Sequence, residues 1–254
     1  MLLNDKTILV VGAGGLLGQK IVESAINEGA RVVAADISHK ALEPLKGKFS
    51  GQQLATASID ITDTKSIHNA FEFSEETWSG LDGAVNTAYP KNKNYGRKFF
   101  DVTFEDFSEN LSSHLGGYFV FMQQCAAYSK SVNRAFSLVN LSSVYGVIAP
   151  RFEVYENTNM TTPVEYAAIK SALLQLGRYA TAYMKGTDFR VNSVSPGGLW
   201  ADQEESFLEK YRSHCSKKGM LNPEDITGAI NFLLSDQSSY VCGQNIVVDD
   251  GFTI

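Results

Sequence analysis

A chain of 254 residues, 44% apolar and 20% charged, is long enough to bury one large core and too evenly mixed to be disordered or membrane-embedded. Its net charge of −6 argues against nucleic acid as a general partner, because phosphate backbones select basic surfaces. Cys125, Cys215 and Cys242 lie far apart with no pairing or ligand spacing, so neither a disulfide framework nor a metal site is expected.

The first predicted strand, Thr7 to Val11, follows MLLNDK without the basic start or cleavage site of a signal peptide. No apolar run reaches the length of a membrane span, and the expected location is cytoplasmic. The strand ends in Gly12-Ala13-Gly14-Gly15-Leu16-Leu17-Gly18, from which an amphipathic helix runs over Leu16 to Glu28. Bare amides and the positive end of a helix suit a pyrophosphate there, although a simple tight turn would also use these glycines. The second strand, Arg31 to Ala35, runs into Asp36. A carboxylate at that place accepts hydrogen bonds from an adenosine ribose and repels a 2′-phosphate, which points to NAD over NADP. Its other use would be an N-cap ahead of SHKALEPL.

The third strand, Ala55 to Ile59, is followed by Asp60 and a helix from Lys65 to Phe73; the fourth, Gly83 to Val85, by Asn86. Next comes YPKNKNYGRKFF, whose Lys91, Lys93, Arg97 and Lys98 form a basic cluster suited to drawing an anionic group, or to a solvated loop or subunit contact. A long helix spans Phe104 to Tyr128, and further strands cover Phe136 to Leu141, Phe189 to Val194 and Ile246 to Val248, with helices at Pro163 to Met184 and Pro223 to Leu234. The strands are apolar on both faces, as parallel strands between helices must be. The expected fold is therefore α/β, a doubly wound parallel sheet of the Rossmann type, forming a single domain over residues 1–254. Ligands of such sheets bind beyond the carboxyl ends of the strands.

Within PVEYAAIKSALLQLG, Tyr166 and Lys170 fall one helical turn apart and stack on one face. A fixed ammonium favours the phenolate, so this spacing predicts a phenol able to exchange a proton with an alcohol or carbonyl near neutral pH.

The glycine turn, Asp60, VNTA at Val85 to Ala88, NLSSVYG at Asn140 to Gly146, Tyr166 with Lys170, RVNSVSPGG at Arg190 to Gly198 and the terminal VVDDGF follow one another in the order of the short-chain dehydrogenase/reductase family, which the chain resembles over essentially its whole length. The resemblance implies an oxidoreductase that moves a hydride between NAD and a secondary alcohol or ketone, with Tyr166 as general acid/base and Lys170 lowering its pKa while holding the nicotinamide ribose. Ser143 would orient the substrate oxygen; it is chosen over Ser142 because the family's serine precedes the glycine, here Gly146, by three residues. Cofactor contacts are implied for Gly12, Gly15, Leu17, Gly18, Asp36, Asp60, Ile61, Asn86, Ala88, Pro196, Gly197 and Leu199. The family commonly assembles through its fourth and fifth helices, here Phe104 to Tyr128 and Pro163 to Met184, so a homotetramer or homodimer is expected.

Four departures from the family pattern stand out. Leu16 occupies a usual glycine position, so Gly12, Gly15 and Gly18 follow the spacing of the family's extended members. His114 aligns with the asparagine that serves a proton-relay water, and is either its replacement or a packing histidine. No threonine follows Pro196-Gly197. Ser143 and Tyr166 are farther apart than usual, and the added segment Val147 to Pro163 should overhang the substrate together with Trp200 to Met220. That stretched loop resembles members associated with flagellin modification and acidic-sugar synthesis, which makes a small-molecule sugar or sugar-phosphate derivative the expected substrate, with room for an anionic group on it. The alternatives are a catalytically silent cofactor-binding sensor or scaffold, and a 3-oxoacyl reductase.

Overall fold

The computed structural model describes residues 1–49 and 51–254. Seven strands form one parallel sheet in the order β3-β2-β1-β4-β5-β6-β7, with β1 Thr7–Val11, β2 Arg31–Asp36, β3 Leu54–Ser58, β4 Gly83–Asn86, β5 Phe136–Leu141, β6 Phe189–Pro196 and β7 Asn245–Val248. Chain order runs outward from β1 to β3 and then returns to β4 on the other side of β1. The carboxyl ends of β1 and β4 therefore flank the point where the winding reverses and a crevice opens.

Alternate strand residues bury into opposite layers, as the two-residue period of a pleated strand requires. Ile8, Val10, Val32, Ala34 and Val139 pack beneath α1, Leu16–Asn27, and α8, Thr227–Leu234. Leu9, Val11, Val33, Ala84 and Leu138 pack on the other side against α3, Thr64–Trp78, α5, Gly116–Val132, and α6, Val164–Tyr183. A third apolar cluster, around Tyr145, Val154, Phe207, Tyr211 and Phe252, lies outside both layers.

The doubly wound sheet and its single domain match the expectation from the sequence. Three helical features differ. The two-turn α7, Glu205–Ser213, lies within a segment expected to be a loop, and α2, Glu43–Lys46, is a short addition after β2. The helix expected over Phe104 to Tyr128 begins as α4, Phe104–Asn110, passes through a π turn at Leu111–Leu115 and continues as α5. Among the described residues no helix is long and apolar enough to cross a membrane.

Candidate active site

A cavity of about 660 Å³ opens at the carboxyl ends of the strands and runs from the glycine turn after β1 to the third apolar cluster. At its first end, Gly12 has φ +76°, and a Cβ there would lie 2.6 Å from the Thr87 hydroxyl oxygen. A Cβ on Gly18 would lie 2.1 Å from the Gly12 carbonyl oxygen, so only glycine lets α1 seat this close to the turn. Gly15 caps α1 with no side-chain bond, which leaves the first-turn amides free for an anion.

Asp36, at the end of β2, stands behind this turn. Its carboxylate accepts from the Gly14 amide at 3.0 Å and from the Ser38 amide at 3.0 Å. It thus staples the glycine turn to its own loop and keeps lone pairs for further donors. Asp60 accepts from the Thr62 amide and hydroxyl at 2.9 and 2.7 Å, while Ile61 is buried in the core beside it. Asn86 accepts from the Ala88 amide at 3.1 Å, and its own side-chain NH2 is buried without a partner.

The floor is built by β5, β6 and α6. Lys170 is buried and donates to the Leu141 carbonyl at 2.8 Å, with its ammonium nitrogen 5.6 Å from the centre of the Tyr166 ring. The serine pair divides its work: Ser142 donates to the Lys170 carbonyl at 2.7 Å, whereas Ser143 caps the turn at Tyr145 and presents its hydroxyl to Tyr166. Pro196 ends β6 and Gly197 follows it, and Leu199 is bridged to Leu221.

Burial sets the charges here. It lowers the Lys170 ammonium to about 7, and it pushes the Tyr166 phenol up, opposed by the Ser143 hydroxyl. Where the spacing with Lys170 predicts a lowered phenol, burial raises it. Desolvation of a buried phenolate outweighs a cation that burial itself drives toward neutrality.

His114 sits in the π turn, a distortion that often marks functional positions. Its ring is buried with neither nitrogen partnered, 5.0 Å from the ring of Tyr89 and 5.4 Å from that of Tyr118. Burial, and then repulsion from Lys170, lowers it to about 3, so it is neutral at pH 7. The folded value lies below that of a free imidazole, so the unfolded chain takes up the proton first. Stability present above pH 6.5 is therefore lost as the pH falls, by about 2 kcal/mol at pH 5 from this group. Urea midpoints at pH 7 and 5 should accordingly differ less in His114→Asn than in the wild type, and an equal fall in both would assign the acid sensitivity elsewhere.

Of the residues expected at the site, Gly12, Gly15, Leu17, Gly18, Ser143, Tyr166, Lys170, Pro196, Gly197 and Leu199 line the cavity. Asp36, Asp60, Ile61, Asn86, Ala88 and His114 are not among the residues that line it. The added segment does overhang: Tyr155, Met160, Thr161 and Thr162 line the cavity, facing Phe207, Tyr211 and Met220 from the region of α7. None of Lys91, Lys93, Arg97 and Lys98 lines the cavity, which, of the two uses left open by the sequence, fits a solvated loop or subunit contact better than an anion site. Arg97 is paired with Asp106 at 2.8 Å, and Lys91 sits at the rim with its nitrogen 5.8 Å from the Tyr89 ring centre. Asp106 of α4 therefore holds Arg97, whereas the contact of Lys91 is with Tyr89. Tyr89 itself, a cavity wall, escaped the sequence reading; its place directly after β4 was the one signal available.

The family model described as enoyl-(acyl carrier protein) reductase matches residues 12–253. The chain is 38% identical to the post-translational flagellin modification protein A of Campylobacter coli, covering 99% of both. It is 30% identical to a 3-oxoacyl-(acyl-carrier-protein) reductase of Thermotoga maritima, covering 100% of both. Among solved structures, a short chain dehydrogenase from Leptospira borgpetersenii with bound NAD+ superposes with a TM-score of 0.85 at 30% identity, over 99% of this chain and 94% of that one.

Proposed function

The chain belongs to the short-chain dehydrogenase/reductase family, and from that premise we propose an NAD(H)-dependent oxidoreductase that interconverts a secondary alcohol and a ketone on a sugar or sugar derivative. The observation that carries this reading is the trio of Ser143, Tyr166 and Lys170 on the floor of the cavity that reaches the glycine turn.

The residues at hand fit the cofactor. Gly12 and Gly18 leave a cradle that any Cβ would fill, the amides of α1 face it, and Asp36 retains lone pairs for ribose hydroxyls. Gly15, Leu17, Asp60, Ile61, Asn86, Ala88, Pro196, Gly197 and Leu199 would hold the remainder, and Lys170 the second ribose. When bound, nicotinamide exchanges a hydride with the substrate carbon. Ser143 hydrogen-bonds the substrate oxygen, and Tyr166 gives or takes the proton at its phenol oxygen. Lys170 supplies positive charge beneath that oxygen as the phenolate forms. His114, neutral and with both ring nitrogens free, is suited to the relay role of the usual asparagine. Asp36 also predicts the cofactor form: NADH should bind more tightly than NADPH in calorimetry at equal salt, and the reverse order would discard the carboxylate argument.

The sugar assignment draws on the resemblance of the stretched loop to members associated with flagellin modification and acidic-sugar synthesis, and on a cavity walled by aromatic rings and hydroxyls; the Campylobacter relative carries flagellin modification in its name. The family model and the Thermotoga relative favour 3-oxoacyl thioesters as a second reading. Following NADH absorbance against ketosugar nucleotides and acetoacetyl thioesters separates the two, and binding of NADH with turnover of neither would support a silent sensor. The free cysteines suit a reducing compartment, and we place the enzyme in the cytoplasm.

Exposed Phe119, Tyr179 and Tyr183, beside Met122, Ala126 and Leu176, leave an apolar groove between α5 and α6. We assign it to self-association as a homotetramer or homodimer. Sedimentation at micromolar concentration should show no stable monomer; one would refute the assignment.

A further inference from the structure

Tyr89 is the first aromatic residue after β4, and its hydroxyl lies 2.7 Å from that of Tyr95. Two phenols share one mutual hydrogen bond, so the pair keeps a second O–H and several lone pairs for a ligand. Tyr89 keeps 42% of its surface exposed, and the partial burial of the two rings pushes both phenols above the ordinary value, which keeps them as neutral hydroxyls. Tyr89 lines the cavity, and its ring meets that of Tyr166 edge to face at 5.9 Å.

The loop that carries the pair is held rigidly. The Asn92 amide donates to Asn110 at 2.9 Å, Asn94 donates to Asp106 at 2.8 Å, and Arg97 pairs with the same carboxylate. Asn110 in turn donates to the buried Glu165 at 3.2 Å, and Glu165 immediately precedes Tyr166. The loop is thereby bolted to the turn of α6 that carries the proposed acid, so Tyr89 stands at a fixed offset from the oxygen that reacts. Such preorganisation suits recognition of a second oxygen beside the first.

We propose that Tyr89, backed by Tyr95, is a specificity-determining residue that binds a hydroxyl on the carbon next to the reacting one. It would select vicinal diols and α-hydroxy ketones, the units a sugar ring carries, over isolated alcohols and ketones. The inference rests on the oxidoreductase reading above. It asks of Tyr89 a contact separate from proton transfer by Tyr166.

The test is NAD+-linked oxidation of cis-1,2-cyclohexanediol and of cyclohexanol, which differ by one hydroxyl. Wild-type enzyme should favour the diol by about tenfold or more in kcat/KM, the size of one well-made hydrogen bond. Tyr89→Phe keeps the ring and should cut that ratio to about threefold or less, mostly through KM of the diol, with Tyr95→Phe in between. A ratio that survives Tyr89→Phe, or a wild type that oxidises both without preference, overturns this proposal while leaving the oxidoreductase reading intact. Oxidation of neither alcohol by the wild type also overturns this proposal, and the NADH assay with ketosugar nucleotides decides the oxidoreductase reading separately.

Discussion

Tyr166→Phe should lower turnover by about 10² or more while leaving NADH affinity within a few-fold of wild type. The substitution removes one O–H and nothing else of size. The ring keeps its edge contact with Tyr89 at 5.9 Å and its place 5.6 Å from the Lys170 ammonium nitrogen. The glycine turn and Asp36, proposed to hold most of the cofactor, lie at the opposite end of the cavity and do not touch the lost hydroxyl. Burial raises the phenol, so the proposed proton transfer needs compensating positive charge nearby, and the Lys170 ammonium nitrogen, 5.6 Å from the ring centre, is placed to supply it. Steady-state turnover beside a fluorescence titration with NADH checks both halves. Near-normal turnover on a true substrate would dismiss Tyr166 as the acid, whereas loss of NADH binding would reassign it to the cofactor.

The sheet was legible because β1, β2 and β4 carry apolar runs between turn residues, as strands buried on both faces do, and the remaining strands alternate with helical segments at the same spacing. Tyr166 and Lys170 were legible because helical spacing is a local property. The sign of the proton shift on Tyr166 was not local: it depends on how deeply the fold buries the phenol, which the spacing cannot reveal. Which of its two uses the basic cluster takes was hidden for a similar reason. Charge is visible in a sequence, but the pairing of Arg97 with Asp106 is settled by the folding of the loop back onto α4. α7 was missed because its N-cap is Glu204, without a side-chain bond, and its apolar residues are few: Phe207, Leu208 and Tyr211. Those residues gain their stability from a surface that did not exist in the one-dimensional reading, the third apolar cluster around the C-terminal end of the chain.

That surface also sets the second large effect. Phe252→Ala should destabilise the protein by about 3–5 kcal/mol and raise KM for substrate, with NADH affinity retained. Phe252 is wholly buried and stacks on Tyr211 at 4.2 Å between ring centres, with 5° between planes. Tyr211 in turn accepts the Gly198 amide through its hydroxyl at 2.6 Å, which ties α7 to the turn after β6. On its other side Phe252 receives Arg151 of the added segment, whose guanidinium lies 5.3 Å from the ring centre and donates to the Phe252 carbonyl at 3.2 Å. One ring therefore anchors both segments that overhang the substrate. The neighbouring Asp250 fastens the same region by accepting the amides of Lys217, Lys218 and Gly219. Removing the ring leaves a cavity beneath both overhangs, so each loses its fixed position at once. The glycine turn and α1 pack in a different layer, on Val10, Ala13 and Ile21, and keep their support. Denaturant unfolding gives the stability, and the comparison of KM with NADH affinity shows where the damage lies. An unchanged KM at lowered stability would make Phe252 a packing residue alone, while a parallel loss of NADH affinity would mean that the two ends of the cavity are held by one structure and not by two.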